Sequence, residues 1–172
     1  NLNMDGGLLQ VTGGNNYALR FDGTTTLGGQ TNVFFPNTAS SPFILAGPIT
    51  DGASALSLIK EGAGRLVIRN SANSFGGITA VKNGVLQVSA GANLSSGKTY
   101  INGGVLTPGD AATLDAISAN GLVMVGQLGT SRYILPAIGF SNAYGNINGS
   151  NQLSVNVPLA GKESRLAFQG KK

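Results

Sequence analysis

Apolar residues recur along this chain in short runs that alternate with polar or small residues, and Gly, Asn or Ser closes each run. Arg65-Leu66-Val67-Ile68, Ile78-Thr79-Ala80-Val81 and Val85-Leu86-Gln87-Val88 carry the pattern most clearly. Their β-branched content between turn residues predicts strand, turn, strand, turn. A period of two sends Leu66 and Ile68, then Leu86 and Val88, to one face, and Arg65, Val67, Val85 and Gln87 to the other. The first set is wholly aliphatic and is the predicted interior. The second set, with Gln10 near the start of the chain, is the predicted outer face, a solvated wall unless it carries a binding role.

The runs also repeat. At an offset of 20 residues Gly64 falls on Gly84 and Gly104, Leu66 on Leu86 and Leu106, and Asn73 on Asn93. Gly77 likewise falls on Gly97, Thr79 on Thr99 and Val81 on Ile101. Self-similarity at a fixed step marks a solenoid, in which a unit that cannot bury its own apolar face stacks on the next. Each unit holds two strands and lacks room for a helix of ~10 residues, so the prediction is all-β, a parallel β-helix with rungs of about 20 residues. Roughly eight rungs at ~4.8 Å spacing predict a rod of about 40 Å. Glycines 64, 84 and 104 fit corners that need positive φ or close backbone approach. Asn73 over Asn93 predicts a small ladder of stacked amides.

Away from the central repeat the pattern loosens. Asp5-Gly6-Gly7-Leu8-Leu9-Gln10-Val11 echoes Asn83-Gly84-Val85-Leu86-Gln87-Val88, so a rung-like unit opens the chain and leaves little ahead of it to cap the edge. Tyr17-Ala18-Leu19-Arg20-Phe21 reads as a half-buried strand with Tyr17, Leu19 and Phe21 on one face. Pro36, Pro42 and Pro48 mark strand ends and loops, because proline cannot donate within a ladder. Beyond Asp110 the register weakens. Residues 111–119 read as a helical turn or loop with Leu114 and Ile117 inward, followed by strands at 122–125, 133–135 and 153–157. The expected division is β-helix rungs over 1–110 and, over 111–172, an irregular β extension or cap of the same solenoid.

Composition narrows the class. Charged residues make up 10% of the chain against 41% hydrophobic, which suits a rigid β protein with uncharged corners and not a disordered chain. With no cysteine, disulfides, thiolate metal sites and cysteine nucleophiles drop out together; with no histidine, so does a Ser-His pair. The net charge of +4 comes from scattered basic residues. Arg65, Arg69, Lys82 and Lys98 include no pair 20 apart, and the adjacent pair Lys171-Lys172 reads as a solvated tail, so no nucleic-acid partner is expected. No run approaches ~18 apolar residues, so this segment is not expected to insert in a membrane. Neither end reads as a signal peptide, which points to a chain that begins after processing or to an excised fragment.

A family resemblance rests on four consecutive stretches. These are residues 45–52, then Leu58-Ile59-Lys60-Glu61-Gly62-Ala63-Gly64-Arg65-Leu66-Val67-Ile68, then Asn73-Ser74-Phe75-Gly76-Gly77-Ile78-Thr79-Ala80-Val81, then Gly84-Val85-Leu86-Gln87-Val88. They resemble the β-strand repeat of bacterial autotransporter passenger domains: Gly-x-Ile, a leucine and a lysine before Gly-x-Gly-x-Leu, Asn-x-aromatic-x-Gly, Thr-x-Val and a closing Gly-x-Leu. The likeness covers roughly 43–110 and departs at Ile78, where a second threonine is common, and at Arg65, where a small polar residue is. It implies a right-handed parallel β-helix exported to the surface of a diderm bacterium. It implies no catalytic residues.

Parallel β-helices also host polysaccharide lyases and hydrolases, whose chemistry needs carboxylates gathered on neighbouring rungs. The acidic residues are Asp5, Asp22, Asp51, Glu61, Asp110, Asp115 and Glu163, and no two are 20 apart. Asp110 and Asp115 are the nearest pair, and a turn cap with a solvated neighbour explains them. Accordingly no catalytic, cofactor-binding or metal-binding residue is assigned, and the protein is read as a non-enzyme with no cofactor. The leading expectation is an extracellular or cell-surface adhesive or structural passenger segment, held at the outer membrane through a part not present here. The alternative is a subunit of a head-to-tail filament, and a carbohydrate-active enzyme is a remote third. Expected partners are other copies, neighbouring segments of a longer chain, or host-surface or glycan ligands. Asn93-Leu94-Ser95 and Asn148-Gly149-Ser150 fit a glycosylation pattern that chance supplies in a chain so rich in Asn and Ser.

Overall fold

A computed structural model describes residues 1–13, 16–52, 54–124, 132–134 and 144–146. The strand expected at 153–157, Asn148-Gly149-Ser150, Glu163 and Lys171-Lys172 lie outside the described residues. In chain order the elements are β1 (Leu2–Asn3), β2 (Leu8–Val11), β3 (Leu19–Phe21), β4 (Thr25–Thr26), β5 (Thr31–Pro36) and β6 (Phe43–Leu45). They continue as β7 (Ile49–Thr50), β8 (Ser57–Lys60), β9 (Arg65–Ile68), β10 (Thr79–Val81), β11 (Val85–Val88), β12 (Thr99–Ile101) and β13 (Val105–Pro108). After these come α1 (Ala111–Ala119), β14 (Leu122–Met124), β15 (Arg132–Ile134) and β16 (Tyr144–Asn146).

The strands stack as a three-sided parallel solenoid. The first sheet runs β1-β4-β7, the second β2-β5-β8-β10-β12-β14, and the third β3-β6-β9-β11-β13-β15-β16, with only β16 antiparallel to its neighbour. The 20-residue register holds where the sequence repeats: Leu66 pairs with Leu86 and Leu86 with Leu106, while Thr79-Ala80-Val81 pairs with Thr99-Tyr100-Ile101. Elsewhere the step is longer. Leu8 pairs with Val33 and Thr31 with Ser57, while Val105 is followed by Arg132. Longer corners therefore stretch the rung beyond the expected 20 residues outside the central repeat, and six successive strands stack in the second sheet among the described residues.

The first side changes its construction along the axis. After β7, Asn73 and Ser74 take the next place, with Ser74 N–H donating to the Ile49 carbonyl at 2.8 Å. Asn93 comes next, and then α1, whose Thr113 hydroxyl accepts from Gly91 N–H at 3.1 Å. The helix answers the expected turn over 111–119, with Leu114 and Ile117 buried as predicted.

Interior columns follow the alternation in the third sheet: Phe43, Leu66, Leu86 and Leu106 form one, and Leu45, Ile68 and Val88 another, each fully buried. The early rungs are longer and are filled by rings, Phe21 edge-on to Phe43 at 5.6 Å and Phe34 against Phe43 at 6.0 Å. Leu8–Val11 forms a rung strand as expected, but in the second sheet, whereas its echo Val85–Val88 lies in the third. Tyr17 stands outside β3 and is 78% exposed, so the half-buried strand is shorter than its pattern implied.

Candidate functional site

The corner between the second and third sheets is built around a lysine. In β8 the alternation that turns Leu58 inward turns Lys60 inward too, in column with Phe34 on one side and Val81 on the other. Its side chain is fully buried. Nζ donates to the carbonyls of Glu61 (2.6 Å), Gly62 (2.7 Å) and Asn83 (2.9 Å), so all three ammonium protons are used on the turns of two successive rungs. Burial pulls the ammonium down to about 8, and the neighbouring Glu61 carboxylate partly opposes that shift. Gly84, at φ +63°, leaves room for it: a Cβ there sits 2.8 Å from Nζ. Of the three aligned glycines only Gly84 has positive φ, whereas Gly64 and Gly104 serve close backbone approach.

The asparagine ladder forms with different chemistry from the expected amide stack. Asn73 Nδ2 donates to the carbonyls of Asn70 (2.8 Å) and Asn93 (2.7 Å), and Asn73 Oδ1 accepts from Ile49 N–H (2.8 Å). Asn93 Oδ1 accepts from Asn73 N–H, and its Nδ2 donates to the Asn73 carbonyl, both at 3.1 Å. Side-chain amides thus supply main-chain bonds where the first sheet has no strand. Asn93 is committed to this role and Leu94 and Ser95 are buried, so that tripeptide offers no accessible acceptor for a sugar.

The acidic residues do not converge. Asp110 caps α1, accepting from Thr113 N–H at 2.8 Å; hydrogen bonding by Thr113 lowers its pKa from the usual carboxylate range. Asp115 is exposed on the helix, and Asp51 Oδ2 accepts from the N–H groups of Leu56 (2.9 Å) and Gly76 (2.8 Å). Among the described residues no three His, Cys, Asp or Glu side chains gather to hold a metal ion.

The outer face of the third sheet is where the predicted surface residues meet. Arg65 is exposed, and its guanidinium donates to Gln87 Oε1 of the next rung at 3.3 Å. An open groove of about 380 Å³ runs beside them, lined by Ala39, Ala63, Arg65, Val85, Gln87 and Thr107. Val67 differs from the expectation of a solvated wall, being only 3% exposed, and Ile44 beneath it is buried as well. Its register partners on the adjoining rungs are Ile44 and Gln87. Gln10 is exposed on the second sheet, away from this groove.

The stretch that holds the buried lysine also carries a family match. Residues 58–88 match the passenger-associated-transport-repeat family. The match runs from β8 to the end of β11, about one and a half turns of the solenoid, and takes in Lys60, Gly64, Leu66, Asn73, Phe75 and Gly84. The resemblance to an autotransporter passenger repeat is borne out on this span. Within the matched span Lys60 ties the corner, Gly84 clears space for it, and Asn73 replaces a strand. No curated protein and no solved structure matches the chain significantly.

Proposed function

We propose that this segment is a rigid, non-enzymatic part of an exported passenger, displayed at the surface of a diderm bacterium, with its outward sheet faces available for adhesion. The observation that carries this reading is the passenger-associated repeat at 58–88, set in register within a parallel solenoid. A stack that exposes its outer faces along its length suits display of a binding surface away from the cell. No helix among the described residues is long and apolar enough to cross a membrane. Antibodies raised against the purified segment test the reading: intact cells of the source bacterium label, and labelling that appears only after permeabilisation overturns it.

A second reading rests on the first rung. Strands β1, β2 and β3 each stand at the edge of their sheet, leaving one row of main-chain groups open to a further rung. Another copy or an adjoining stretch of a longer chain fits that edge, and heterologous pairing between copies propagates as a filament. Light scattering over a concentration series tests the copy-to-copy form; a monomer at every concentration removes it.

A further inference from the structure

We infer that the groove on the outer face of the third sheet is a binding site for a carboxylate-bearing polysaccharide, with Arg65 as its cationic contact and Arg69 as a second cation beyond the groove's lining. This deepens the adhesive reading above by naming a ligand class and the residues that meet it. Arg65 opens β9 and lines the groove, Arg69 follows directly on the end of the strand outside that lining, and both are exposed. Four residues of extended chain set them ~13 Å apart, a spacing that two charges of one linear polymer can span.

The charge on this face is uncompensated. The two ion pairs among the described residues are Arg20 with Asp22 and Lys82 with Glu61. Arg65 has the neutral Gln87 amide as its partner, and no described carboxylate pairs with Arg69. A planar guanidinium with most of its N–H groups free is shaped for bidentate carboxylate recognition. Beside it the groove offers an aliphatic floor at Val85, and the Gln87 amide and Thr107 hydroxyl, which can both donate and accept. That combination suits a polymer of hydroxyls and carboxylates.

Two other anionic macromolecules fit less well. An extended peptide gains affinity by adding to a sheet edge, but β9, β11 and β13 are already paired with one another, so their ladder groups are used. Single-stranded nucleic acid is held by stacking on aromatic side chains, and the outward positions Arg65, Val67, Val85, Gln87, Val105 and Thr107 include none.

The test is binding of the full chain to polygalacturonate, with its methyl ester and neutral dextran as comparisons. Polygalacturonate binds, the neutral polymers do not, and affinity falls as salt is raised. Arg65→Ala weakens binding by about tenfold or more, and Arg65→Lys, which keeps the charge but loses the fork, falls between. Lys98→Ala removes an equal charge from the other outer face and leaves affinity unchanged. Circular dichroism confirms that each variant keeps its fold. Failure of polygalacturonate to bind, equal losses for Arg65→Ala and Lys98→Ala, or tighter binding of oligodeoxythymidine or polyglutamate overturns the inference. Surface labelling of cells is independent of this result, so loss of polymer binding with cells still labelled removes the ligand class alone. Binding with unlabelled cells removes the display reading instead.

Discussion

Lys60 Nζ donates to the main-chain carbonyl of Asn83 at 2.9 Å, tying the corner of one rung to the corner of the next from inside the solenoid. An ammonium in that position is costly unless its protons are satisfied, and three carbonyls satisfy them here.

The first prediction concerns pH. Because burial lowers the folded pKa of Lys60 to about 8 from an unfolded value near 10.5, the unfolded chain holds the extra proton between those limits. Stability attributable to this group therefore rises with pH across that window and is flat below it. The wild type gains on the order of 3 kcal/mol relative to Lys60→Met between pH 8 and 10.5. Denaturant melts of both proteins at several pH values measure the difference, and parallel curves contradict it.

A second prediction separates the two faces of β11. Leu86 is fully buried between Leu66 and Leu106, so Leu86→Asp costs several kcal/mol and melts the central rungs. Gln87→Asp, on the outer face, costs under about 0.5 kcal/mol. Thermal melts that drop equally for the two variants contradict the assignment of faces.

The asparagine that replaces a strand gives the third. Asn73→Ala leaves the Ile49 N–H and the Asn70 and Asn93 carbonyls without their partner, at a cost of about 2–4 kcal/mol. Asn73→Asp keeps the acceptor for Ile49 but removes both donated bonds, so it does not rescue. Hydrogen exchange at the Ile49 amide reports the local loss, and unchanged protection in Asn73→Ala counts against the role.

The fourth isolates crowding from backbone strain. Gly52 and Gly84 have nearly the same φ, +65° and +63°, but a Cβ at Gly52 meets nothing within 4 Å, whereas one at Gly84 collides with the carbonyls of Gly62 and Gly64. Gly52→Ala costs about 1–2 kcal/mol for its left-handed backbone. Gly84→Ala costs at least twice that, read from chemical denaturation. Equal costs mean that the corner relaxes around the added carbon.

The sequence alone determined the solenoid, the inward leucine columns and the 20-residue register over residues 64–106, because stacking identical positions at a fixed step leaves a periodic trace. It also held a signal for Lys60 that charge obscured: the alternation that buries Leu58 buries the residue two places later whatever its type. What the tertiary structure decided was everything that depends on corner length and on neighbours from other rungs. The step lengthens outside the repeat because corners can absorb extra residues without disturbing the ladder, so the rung length departs from a uniform 20 residues. Leu8–Val11 and Val85–Val88 share a local pattern but occupy different sheets, because sheet membership is set by which strand lies one turn away. The outer face needed the structure for the same reason. Arg65, Gln87 and Thr107 are scattered in the chain, and parallel pairing at successive rungs brings them to one groove.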